Sequence, residues 1–168
     1  MKELRIYNLQ ISNGISEKLF IAKYGQPLFD KLRAEAFAID RGACAGCGHV
    51  PPEQKKESCL YFHIYEENEK NPELTKGVTL CKMCHLTQHI SSAIKNKWVI
   101  IVNSTHDQAH LNRLFRMHRL HGALSERSII PLKKHPEQFL EEWSSRKSKP
   151  TTSIKVIFVN TFPLNDLE

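Results

Sequence analysis

Two stretches decide the fold: Cys44-Ala45-Gly46-Cys47-Gly48 and Cys81-Lys82-Met83-Cys84-His85-Leu86-Thr87-Gln88-His89. Each carries a C-x-x-C turn, which holds two sulfurs on one side of the backbone. Gly46 and Gly48 permit a tight turn whose amides are free to donate to sulfur. Together Cys44, Cys47, Cys81 and Cys84 complete a tetrahedral shell of four thiolates with no position left open, which suits one structural Zn²⁺ rather than a catalytic ion. Such a site contributes on the order of 10 kcal/mol to folding. A redox dithiol is the alternative for either pair by itself. The chain has 5 Cys, an odd number that does not read as a secreted disulfide framework. The fifth, Cys59, reads as a small buried hydrophobe.

Working outward, Pro51-Pro52 and the charged run after them make a loop. Residues 58–66, rich in Tyr, Phe and Ile, read as a strand. Val78-Thr79-Leu80 leads into the second cysteine turn, which opens a helix expected over 81–95, the arrangement of a treble clef. Upstream, residues 4–11 alternate apolar and polar, Ser12-Asn13-Gly14 turns the chain, and 18–22 would return as the second strand of a hairpin. A helix over 27–40 follows, with Leu28, Phe29, Leu32, Ala36 and Ile39 at helical intervals and Gly42 just past its end. Downstream, 98–103 is strand-like and 107–124 helical. Leu111, Leu114 and Phe115 form that helix's apolar stripe, and Arg113, Arg116 and Arg119 a separate arc. A short helix over 136–143, an exposed linker over 144–152 and a strand-like tail over 154–162 complete the chain. The tail either completes a sheet or docks on a partner. The pattern is α+β: one zinc-centred domain over 1–143 with an N-terminal hairpin, a helical flank and a small antiparallel sheet, then a linker and C-terminal segment over 144–168.

The 168 residues are 40% hydrophobic and 25% charged, which is ordinary for a globular chain and argues against wholesale disorder. No apolar run approaches the ~20 residues of a membrane helix, and no signal-peptide pattern opens the chain. We therefore expect no membrane insertion and a cytoplasmic location. The net charge of +6 fits nucleic acid or an acidic protein surface.

The stretch 39–90 resembles the HNH endonuclease family, in which a ββα-metal hairpin and helix are stapled by two C-x-x-C knuckles. The first knuckle, the strand Leu60-Tyr61-Phe62-His63-Ile64 and the C-H-x-x-x-H run from Cys84 to His89 carry the resemblance. It implies His63 as the general base that deprotonates water, with His85 or His89 facing a hard divalent ion on the scissile phosphate. Two positions depart from that family. Phe62 stands where an Asp or His metal ligand precedes the base, and Lys76 stands where an Asn orients it. Phe cannot ligate a cation and Lys opposes one.

A longer resemblance, over about residues 15–125, is to the IcmJ/DotN family of type IVB secretion systems. These are zinc-binding proteins of HNH-like fold, with degraded catalytic positions, that accompany the coupling ATPase. It extends through both knuckles, the 98–103 strand and the 107–124 helix. It implies a non-catalytic zinc-stabilised adaptor in a type IV secretion or conjugation coupling complex, with the coupling ATPase or another secretion component as partner. The expected docking face combines Arg113, Phe115, Arg116 and Arg119 with Trp98, Phe158 and Phe162. The alternative is an HNH-type metal-dependent nuclease or nucleic-acid-binding zinc module using His63, His85 and His89.

Overall fold

The computed structural model describes residues 6–10, 12, 14–121, 130–131 and 154–158. The helix expected over 136–143, the linker over 144–152 and Phe162 lie outside the described residues, as does the boundary at 143/144.

The first described helices are α1 (Glu17–Tyr24) and α2 (Gln26–Asp40). The first knuckle follows, then α3 (Lys56–Cys59), β1 (Leu60–Glu66) and β2 (Lys76–Cys81). Next are α4 (Lys82–Thr87), α5 (Ile90–Lys95), β3 (Val99–Asn103) and α6 (Gln108–His121). Strands β4 (Ile130–Pro131) and β5 (Ile154–Phe158) close the order. β1 and β2 pair antiparallel, and β3 lies between β4 and β5 in a second antiparallel sheet. The described residues are thus α+β with two small sheets. No helix among the described residues is long and apolar enough to cross a membrane.

The register of the first sheet sets the two faces of β1. Leu60 lies opposite Cys81, Phe62 opposite Thr79 and His63 opposite Val78. Strand residues alternate sides, so Phe62 and Ile64 meet α2 while Tyr61 and His63 meet α4. Phe62 and Ile64 share a core with Phe20, Phe29, Leu32 and Ala36. α2 supplies three of these at helical spacing and ends at Arg41, whose φ is 54°. Its final residue is buried: Asp40 Oδ2 accepts the Thr79 amide at 2.7 Å, fixing α2 to β2. Ile39, assigned to the same stripe by spacing, is 56% exposed.

The N-terminal hairpin does not form. Residues 17–24 are α1, with Phe20 buried and Leu19 turned to solvent. Apolar runs this short do not distinguish strand from helix by periodicity. Among the described residues before α1, the chain forms a strap that bonds to the rest of the chain rather than to a hairpin partner. Tyr7 N–H donates to Ala45 O at 2.9 Å, Ser12 N–H to Thr87 O at 2.9 Å and Gly14 N–H to Gln88 O at 2.6 Å; Ile90 N–H donates back to Ser12 O at 3.1 Å.

These bonds explain a second departure, the division of the expected 81–95 helix into α4 and α5. The strap takes carbonyls and an amide that a continuous helix would use within itself, and His89 leaves helical geometry at φ −131°, ψ 54°. Gln88, 2% exposed, rivets the junction: its Oε1 accepts from Tyr7 Oη and Ser12 Oγ, and its Nε2 donates to Gln10 O.

Residues 154–158 of the tail complete a sheet. β5 pairs with β3 from Val99↔Phe158 to Asn103↔Ile154. Val99, Ile101, Phe115, Val156 and Phe158 belong to the same core as the four clustered cysteines.

Candidate metal centre

The first knuckle is closed by its own backbone, with Cys44 N–H on His49 O and Gly48 N–H on Cys44 O, each at 2.8 Å. Ala45 N–H reaches Thr79 O at 2.8 Å, which brings this turn against β2. The second pair spans the end of β2 and the first turn of α4. The result is one buried cluster of Cys44, Cys47, Cys81 and Cys84 whose sulfurs all lie within 4.8 Å of one another. Cys47 Sγ and Cys81 Sγ are 3.8 Å apart. A tetrahedral ion bonded to sulfur at ~2.3 Å has an edge of about that length, whereas a disulfide requires ~2.05 Å. The four cysteines are positioned to hold a metal ion, and an all-thiolate shell suits a thiophilic one.

Two groups from α6 address these sulfurs. Arg116 Nη2 donates to Cys81 Sγ at 3.2 Å, and Asn112 Nδ2 donates to Cys84 Sγ at 3.3 Å. Hydrogen bonds from Cys44 and Cys47, with Arg116 nearby, hold Cys81 well below the ordinary thiol value, while burial pushes Cys84 well above it. A divalent ion on four thiolates leaves a formal charge of about −2, and the Arg116 guanidinium offsets part of it. Gln108, one turn earlier, donates to Asn112 Oδ1 at 2.9 Å and grips β5: its Nε2 donates to Val156 O at 2.8 Å and its Oε1 accepts Val156 N–H at 2.9 Å. Gln108, Asn112 and Arg116 therefore form a buried polar stripe from β5 to the metal cluster.

This placement corrects the expected docking face. Phe115 is 4% exposed and packs against Phe158 with ring centroids 6.0 Å apart; both are core. Arg116 is 8% exposed and faces sulfur, not solvent. Trp98 is partly buried against the same core. Arg113 is exposed, and Arg119 continues α6 with its side chain outside the described residues. The stripe was detectable in the spacing: positions 108, 112 and 116 flank Leu111 and Phe115 on one helical face. Polar identity concealed it.

The histidines also converge. His63 from β1, His85 from α4 and His89 from the α4–α5 junction each place one ring nitrogen within 4.8 Å of the others. Burial lowers His63 to about 4 and His85 to about 3, with neighbouring imidazoles adding to the shift, and burial lowers His89 too. All three are neutral at pH 7. Gly14 crosses directly over His63, where a Cβ would lie 2.6 Å from the imidazole Cε1. Only a residue without a side chain permits that approach.

Phe62 packs into the α2 core, with its ring 5.4 Å from that of Phe29. It lies over Gly77, where any Cβ would collide with it. Lys76 forms an ion pair with Glu66 at 3.0 Å. Neither residue supplies a cation ligand. Cys59 is buried, as expected. No protein-family model matches the chain, and no curated protein matches it.

Proposed function

We propose that the chain is a non-catalytic adaptor with an HNH-like, treble-clef core, built around one structural Zn²⁺ on Cys44, Cys47, Cys81 and Cys84, which docks on the coupling ATPase of a type IV secretion or conjugation system. The observation that carries it is Phe62. At the strand position where an HNH nuclease needs a hard ligand, this chain has an aromatic ring embedded in its core. The closed sulfur shell and the resemblance to IcmJ/DotN proteins support the same reading.

The docking surface is then the solvent side of α6, where Arg113 is exposed and Met117 is 59% exposed. The test is co-expression of the full chain with the coupling ATPase, followed by size-exclusion chromatography. The expected result is co-elution that weakens with Arg113→Glu. Separate elution with every coupling component would remove the adaptor function, and Mg²⁺-dependent plasmid nicking abolished by His63→Ala would replace it with the nuclease.

A further inference from the structure

The histidine cluster makes no use of the sulfur site, and the adaptor reading does not need it. Its geometry is that of a ligand set. The ring centroids of His63, His85 and His89 are 6.0, 5.6 and 4.6 Å apart, with interplanar angles of 74°, 82° and 62°. Three imidazoles bound to one tetrahedral ion at ~2.1 Å place their centroids about 5 Å apart, edge toward edge. Edge-to-face contacts at such distances also arise from packing alone, as between Phe29 and Phe62. The ligand set is therefore defined by its converging nitrogens, all within 4.8 Å of one another. His85 in addition stacks on Tyr61 at 5.2 Å and 11°. That stack also fixes the His85 ring plane.

A second observation points to a missing ligand. His63 is 3% exposed, and its Nδ1 is buried with no hydrogen-bond partner. Leaving such a group unsatisfied costs about 1–3 kcal/mol, and buried polar groups are generally partnered. His85 and His89 also line a cleft of about 300 Å³ whose walls include Glu17, Ser16 and Ser92. A metal at the cluster therefore has a route to solvent.

We infer that His63, His85 and His89 form a second metal site, which takes a borderline transition ion such as Zn²⁺ through three imidazoles and leaves its remaining position toward the cleft. Neutral imidazole suits Zn²⁺, whereas Mg²⁺ demands oxygen ligands. The cluster's own three ligands are nitrogen, which favours the borderline ion over the hard ion of a phosphate-cleaving centre. His63 serves as a ligand, not as a base acting on water. Three protein ligands plus an open position distinguish it from the closed sulfur shell.

The experiment titrates the full chain with Zn²⁺, removes weakly held metal by gel filtration and measures bound metal. Wild type should retain about two equivalents, and His85→Ala/His89→Ala about one. Co²⁺ loading separates the sites: sulfur-to-cobalt charge transfer should persist in the double variant, while bands of a nitrogen-bound Co²⁺ disappear. X-ray absorption on wild type carrying two Zn²⁺ per chain should show mixed sulfur and nitrogen scattering, which needs no variant to fold. Saturation at one equivalent, sulfur scattering alone, or equal displacement of the second ion by Mg²⁺ would overturn the site. None of these outcomes bears on docking to the coupling ATPase, so the two proposals fail separately.

Discussion

Replacing Arg116 with Met separates a charge that serves the metal from one that serves packing. The guanidinium lies 3.2 Å from Cys81 Sγ, where a unit pair at an effective dielectric of 20 attracts by about 5 kcal/mol. Against this stands the desolvation of a cation whose Nε and Nη1 have no hydrogen-bond partner. The net value of a hydrogen bond to a charged group is about 1.5–3 kcal/mol. Arg116→Met should therefore weaken Zn²⁺ binding about tenfold to a hundredfold, since 1.4 kcal/mol is a factor of ten. Met retains length and apolar volume, so the fold should persist at saturating zinc. Competition with a chromophoric chelator measures the affinity, and the midpoint of acid-driven zinc release should move to higher pH. Arg116→Lys, which keeps the charge, should fall between wild type and Met. An Arg116→Met protein that holds zinc as tightly as wild type would show that the guanidinium only fills space, and the charge-balance account of the cluster would fail.

Gln108→Leu strands both the N–H and C=O of Val156, and two buried polar groups at about 1–3 kcal/mol each give an expected loss of ~4 kcal/mol. Denaturant unfolding at saturating zinc, with amide exchange read at Val156, checks it. Gly14→Ala forces a Cβ to 2.6 Å from His63 Cε1 and should lift the strap from the α4–α5 junction, at about 1–3 kcal/mol; faster exchange at the Ile90 amide is the readout. His63 sets a pH dependence with a definite sign. Its folded value is about 4 against an ordinary 6.5, so as pH falls below 6.5 the unfolded chain binds a proton that the folded chain refuses. Stability contributed by this group is then lost between pH 6.5 and 4, by about 3 kcal/mol in all. With one equivalent of zinc present, His63→Asn should flatten the pH–stability profile by that difference.

What the sequence discloses depends on how far away the partner lies. The sulfur ligands are legible because C-x-x-C is a local spacing with one dominant chemistry. The helix α2 is legible because its periodicity is sustained, and the strands β1 and β3 because their short runs are rich in aromatic and β-branched residues. The strap is not, because its alternation mimics a strand while its bonds run to Ala45, Thr87 and Gln88. Arg116 reads as a surface charge until α6 is packed, since only a distant thiolate makes its burial tolerable. The cluster of His63, His85 and His89 is half legible: the i, i+4 spacing of His85 and His89 is visible, although the helix expected to carry both divides between them, and the third member arrives only through strand pairing.

That pairing makes one site depend on the other. Cys81 is both the last residue of β2 and a sulfur ligand, and it lies opposite Leu60. A slip of one residue between β1 and β2 would reverse the faces of β1, sending His63 into the α2 core and Phe62 over α4. A metal on sulfur would hold the end of β2 against the first knuckle and the start of α4, and so would stabilise the register that presents His63 to His85. Occupancy should consequently be hierarchical. Cys84→Ser should abolish both metal sites, whereas His89→Ala should remove only the imidazole-bound ion and leave sulfur-to-cobalt charge transfer intact. Cobalt spectra of the two variants measure this directly. Retention of the nitrogen-bound ion in Cys84→Ser would mean that core packing alone, through Phe62, Ile64 and α2, fixes the register without the sulfur staple.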